Sequence, residues 1–112
     1  MKPTGFARHV DATELQQLID ETPGPLLVHF TAEWCGPCQG MAPFLEAFAQ
    51  ARAQSLPVVK VDIDAHPSVA SRFMVRAVPT LYVLQDGRVL GAHTGALSGA
   101  QLARFVDQSI GA

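Results

Sequence analysis

The sequence predicts an α/β fold with the element order βαβαβαββα, a central mixed sheet flanked by helices on both faces. Three observations carry that prediction. Short apolar runs of strand length alternate with stretches whose apolar residues recur at helical spacing. Such alternation implies parallel strands joined by crossover helices. Near the C-terminal end two strand-like runs flank Asp86-Gly87, a tight-hairpin signal that adds an antiparallel edge.

The elements follow in order. "FARHV" (Phe6 to Val10) reads as a short strand with apolar ends. Asp11 with Glu14 three residues later resembles a capping box, and Leu15, Leu18 and Ile19 then recur at helical spacing. "TPGP" (Thr22 to Pro25) stops that helix. "LLVHFTA" (Leu26 to Ala32) is nearly continuous in apolar residues, as expected of a central strand covered on both faces. From Pro37 to Ala53 the pattern is helical, with Met41, Phe44, Leu45 and Phe48 on one face and a kink expected at Pro43. "PVVKVDID" (Pro57 to Asp64) is the next strand, and Pro67 to Met74 a short helix. "TLYVLQ" and "RVLGAHT" form the hairpin, and Ser98 caps a last helix carrying Leu102, Phe105, Val106 and Ile110.

The totals bound the function. A chain of 112 residues fits one domain, residues 1–112, and 48% hydrophobic with 16% charged residues is the balance of a compact globule. A net charge of -2 gives no electrostatic footprint for nucleic acid. No apolar run approaches the roughly 18 residues that a membrane helix needs. "MKPTGFARHVDATELQ" has a lysine but no apolar leader segment, so with Met1 as the native start the expected location is the cytoplasm. Nothing in the pattern demands more than a monomer.

Both cysteines lie in "WCGPC", after the buried strand and at the start of a helix. Unpaired N–H groups and the helix dipole favour negative charge there, so a thiol at Cys35 should ionise more easily, and the thiolate is the nucleophile. Pro37 suits the first turn, where a missing N–H costs nothing. Cys38 is one turn further in, placed to attack a mixed disulfide formed at Cys35. That chemistry calls for an exposed attacking sulfur and a shielded resolving one. Two other uses remain open. Zinc needs four ligands, and His9, His66 and His93 look isolated, so no metal site is expected. A permanent staple over so short a loop would stabilise little. Redox use is the reading that the spacing favours.

"AEWCGPC" (Ala32 to Cys38) resembles the active site of the thioredoxin family. "VKVDID" (Val59 to Asp64), "VRAVPT" (Val75 to Thr80), the Asp86-Gly87 hairpin and "TGALSGAQL" (Thr94 to Leu102) resemble that family in order and spacing. The resemblance implies the thioredoxin fold and a protein thiol–disulfide oxidoreductase. Cys35 would attack disulfides in protein substrates, and Cys38 would resolve the intermediate. An NADPH-dependent thioredoxin reductase would restore the dithiol, with no cofactor bound to this chain. It also carries over a depressed Cys35 pKa, for which thioredoxins are themselves a standing example. It further implies a cis bond before Pro79 facing the cysteines, with Val78 offering backbone hydrogen bonds to an extended substrate. The implied docking surface is Trp34, Gly36, Pro37, Val78, Pro79, Gly95 and Ala96. Plainer readings exist: Gly95 as a strand-end turn, Val78 as core. A lone Trp beside a reactive thiol suits an exposed apolar contact.

One departure stands inside the strand. Where the family carries a buried aspartate, this chain has His29, and Lys60 aligns with the family's nearby lysine. A buried imidazole beside a cation should be neutral at pH 7. It can still accept the Cys38 proton, or it can merely fill space and bond a neighbour. A neutral ring does not repel thiolates as a carboxylate does. The expectation is a lower Cys35 pKa, a more stable reduced form and a somewhat more oxidising protein. Thr31, where the family often has an aromatic, should loosen the support beneath the Cys35 loop. Glu33 reads as a solvated charge, Asp64 as a partner for a neighbouring lysine or arginine, and Met74 as packing. The rival functions are an oxidase or isomerase of the same fold, and a binding or holdase module that uses the apolar surface without its thiols.

Overall fold

The computed structural model describes residues 5–111; Lys2, which entered the leader reading, lies outside the described residues. The order is β1 (Ala7–His9), α1 (Ala12–Glu21), β2 (Leu26–Thr31), α2 (Gly36–Ala51), β3 (Val58–Asp62), α3 (Pro67–Arg72), β4 (Thr80–Gln85), β5 (Arg88–Thr94) and α4 (Gly99–Ser109). The five strands form one sheet in the order β1-β3-β2-β4-β5. β2 lies at its centre, parallel to β3 and antiparallel to β4. Every residue of β2 is buried, as its apolar run requires. No helix among the described residues is long and apolar enough to cross a membrane.

Side chains alternate across the sheet, so β2 serves two cores. Leu27 joins Met41, Leu45 and Phe48 of α2 and Leu102 and Val106 of α4. Leu26, Val28 and Phe30 join Leu15 and Ile19 of α1 and Val69 of α3. Local signals set the boundaries of these helices. The Asp11/Glu14 capping box is complete, and Ser98 with Gln101 forms a second one. At the hairpin, Asp86 and Gly87 both have positive φ, 54° and 76°, the backbone that a two-residue turn matched to strand twist requires.

Several boundaries differ from the expectations. β1 begins at Ala7, and Phe6 is exposed while its N–H is taken by the Glu46 carboxylate at 2.6 Å. β3 stops at Asp62 because that carboxylate accepts the N–H groups of Asp64 and Ala65 and turns the chain off the sheet. α2 runs through Pro43 and ends at Ala51. Phe44 is half exposed, at the rim of the helix's buried face. α3 ends at Arg72, and Met74 lies beyond it at φ +58° with 73% of its surface exposed, so it is not packing.

Candidate active site

Cys35 is the N-cap of α2, and its Sγ accepts the Cys38 N–H at 3.1 Å. The cap position needs an acceptor, and a sulfur held there faces unpaired N–H groups and the positive end of the helix. The two cysteines form a disulfide. Cys35 is only 3% exposed, which corrects the expected exposed sulfur. Ala32 shares the buried cluster of the two cysteines, and Ile63 and Val78 pack against it, while Trp34, Gly36 and Pro37 take the solvent-facing positions.

The other surface residues come from distant parts of the chain. The Val78–Pro79 bond is cis, and Val78 packs against the disulfide cluster. No backbone–backbone hydrogen bond among the described residues uses the Val78 N–H or carbonyl. Gly95 has φ +113°, where a side chain would be strained, and its N–H donates to the Pro79 carbonyl at 2.8 Å. That bond joins the end of β5 to the cis turn. Ala96 and Trp34 are exposed, whereas Pro79 is buried and Val78 and Gly95 are half-buried. The Trp34 indole N–H donates to Asp64 Oδ2 at 2.7 Å. Asp64 therefore orients the tryptophan and pairs with no lysine or arginine among the described residues.

Beneath the disulfide lies a polar row. His9, Lys60 and His29 are in register on β1, β3 and β2, with Leu81 of β4 next. They share the face of Ala7, Val58 and Leu27, which packs on α2. His29 is 1% exposed, and neither ring nitrogen has a hydrogen-bond partner among the described residues. Burial, then the Lys60 cation, then His9 push its pKa down to about 4, so the ring is neutral at pH 7. His29 and Cys38 line one cavity of about 80 Å³, together with His9, Lys60, Thr31 and Glu33 among others. Thr31 is buried, and its carbonyl accepts the Ile63 N–H at 3.0 Å.

His9 is thus not isolated, as its place in the sequence suggested. Only a β1–β3–β2 strand order with in-register rows brings it to the site, and no local pattern announces that. Burial and Lys60 lower its pKa, while Asp62 and Glu33 oppose them. No three His, Cys, Asp or Glu side chains among the described residues cluster as metal ligands.

The thioredoxin family model matches residues 6–108. A thioredoxin of Haemophilus influenzae is 34% identical over 102 residues, covering 91% of this chain and 95% of its own. One from Pseudomonas aeruginosa is 39% identical over 102 residues, covering 91% and 94%. Among solved structures, chloroplastic thioredoxin z superposes with a TM-score of 0.83 at 27% identity, covering 100% of this chain and 99% of that one.

Proposed function

Because the chain belongs to the thioredoxin family, we propose that its exchange chemistry runs as net reduction of disulfides in protein substrates. The chain is a thiol–disulfide oxidoreductase with a redox-active Cys35–Cys38 pair, acting on disulfide-containing substrates. The observation that carries the direction of attack is the capping geometry, with Cys35 Sγ at the helix end and Cys38 one turn inside. In the reduced protein this position favours a Cys35 thiolate. That thiolate attacks a substrate disulfide, forming one S–S bond as another breaks and a substrate thiolate leaves. Cys38 then gives its proton to neutral His29, with burial and then Lys60 keeping the ring unprotonated beforehand. The Cys38 thiolate attacks Cys35 Sγ, and the second substrate thiolate departs. The substrate gains two electrons and the dithiol loses them. An NADPH-dependent thioredoxin reductase would return them to the pair.

The substrate's place follows from the same surroundings. Val78, with its N–H and carbonyl outside the backbone network, suits an extended segment laid beside the disulfide. Trp34, Gly36, Pro37, Gly95 and Ala96 would flank it, and Pro79 would hold the turn.

His29 favours a second reading, net oxidation or isomerisation, since a neutral ring below Cys38 does not oppose a thiolate. The reduction potential of the pair decides, read from Trp34 fluorescence in thiol–disulfide buffers. A value well below the glutathione poise is expected; one at or above it would make the protein an oxidant or isomerase. Replacing both cysteines with serine should abolish the function, whereas a binding module would keep it.

A further inference from the structure

Two histidines line the cavity beneath the disulfide, and only one of them is sealed from solvent. His29 is 1% exposed, and both ring nitrogens lack a protein partner among the described residues. A polar cavity of about 80 Å³ has room for water. An imidazole with a pKa of about 4 hands the Cys38 proton back unless it is carried off, so onward transfer belongs to the resolving step itself. Burial and Lys60 drive the proton off the ring, yet His29 itself has no contact with bulk water.

A second, open groove runs outside β1, lined by Gly5, Ala7, Arg8, His9, Glu14 and Lys60. Among the described residues, only His9 and Lys60 line both the groove and the inner cavity. A lysine ammonium releases its proton too rarely at neutral pH to carry traffic, whereas an imidazole cycles readily there. His9 and His29 stand two strands apart in one row, about 10 Å between backbones, a gap that ring nitrogens and one or two waters can span.

We infer that His9 is the outer station of a two-histidine proton relay, taking the Cys38 proton from His29 and passing it to the groove beside β1. The inference rests on the reading of His29 as the base. The charges around His9 favour it. Asp62 of β3 and Glu33 of the loop before α2 offset part of what burial and Lys60 do to His9, although its pKa stays lowered overall. Lys60 acts against both rings, and Arg8 and Glu14 pair with each other at 3.2 Å on the groove side. Toward α2 the cavity is lined by Cys38 and by Gln39 and Ala42, which carry no charge. Asp62 and Glu33 also line a shallow pocket beside Trp34 and so define a competing exit. Asp62 Oδ1 is engaged by two N–H bonds, at 2.8 and 3.2 Å, in the turn after β3, which leaves Glu33 as the rival.

The test is a single-turnover reaction of the reduced protein with a disulfide-bonded peptide, following Trp34 fluorescence from pH 5 to 9. His9→Gln should slow the resolving step about tenfold, less than the hundredfold or more typical of a directly acting base. Imidazole in the buffer should restore the rate, because the groove is open; a merely structural role would give no such rescue. His29→Gln should slow the step further and should not be rescued. A normal rate in His9→Gln, or a slow one that imidazole leaves slow, overturns the relay, and a loss of rate in Glu33→Gln alone would move the exit there. A normal rate in His29→Gln removes the base reading itself. Should His9→Gln fail to fold, NMR titration of His9 in the wild type replaces it. A shift between the oxidised and reduced protein supports the relay, and identical curves overturn it.

Discussion

On one face of β2, Phe30 sits in an aromatic trio. Its ring centroid lies 5.6 Å from Phe73 and 5.7 Å, edge-on, from Tyr82, whose hydroxyl donates to the Phe73 carbonyl at 2.7 Å. On the other face, one residue away, His29 is as deeply buried but has neither an apolar enclosure nor a hydrogen-bond partner among the described residues. The same backbone supplies both. One side has every polar atom of its aromatics accounted for, which is what stability asks of a core. The other holds an imidazole over a polar cavity beside a cysteine, an arrangement that costs stability and has chemical use.

Removing the sealed side should have the largest effect on stability. Phe30→Ala should cost about 3–5 kcal/mol, measured by urea unfolding, because it leaves a cavity where the fully buried ring met Phe73 and Tyr82. In the fraction still folded, the reduction potential of the cysteine pair should not change. A shifted potential would break the comparison by showing that the two faces are coupled.

Acid should act on the other side. The His29 pKa is about 4 when folded against the ordinary 6.5, so the unfolded chain binds a proton that the folded chain refuses. Stability is therefore unaffected by this ring above pH 6.5 and falls as pH drops, by about 3 kcal/mol in all by pH 4. His9, also lowered, adds to the loss in the same direction. Unfolding across this range in the parent and in His29→Leu should differ by that amount. Parallel curves would mean that His29 is protonated or solvated in the folded protein.

A smaller change sharpens the chemistry of the polar face. His29→Asp places a carboxylate over the same cavity, beside Lys60 and Cys38. A buried anion disfavours the thiolate, so the reduced form loses stability and the potential should fall by about 10–30 mV, equivalent to roughly 0.5–1.4 kcal/mol. An unchanged or higher potential would show that the charge at position 29 does not reach the sulfurs.

The two faces also differ in how far they can be read from the chain. The continuous run from Leu26, both capping boxes and the Asp86-Gly87 turn are local signals, legible because the residues that cause them are neighbours. His29 is legible as an anomaly within that run. Its surroundings are not, since His9 reaches the cavity only through strand order, and Asp64 meets Trp34 from thirty residues away. Val78 and Ile63 pack on the buried cluster that holds Cys35, again from outside its own segment. Phe44 fits the helical period but falls at the rim of what α2 buries. Where a cause is non-local, periodicity and spacing hold no trace of it.

Met74 is the one loose end of the sealed face. It follows Phe73 at φ +58°, a backbone that costs an L-residue roughly 1–2 kcal/mol and glycine almost nothing. Its side chain is 73% exposed, so little packing is lost with it. Met74→Gly removes the strain but also loosens the unfolded chain, by about 0.5–1 kcal/mol. The net expectation is a gain of about 0.5 kcal/mol, seen as a higher urea midpoint at unchanged slope. A lower midpoint would mean that the thioether contributes packing which its exposure does not suggest. The trio around Phe30 would then extend one residue further than Phe73, and the boundary between the sealed face and the surface would have to be redrawn there.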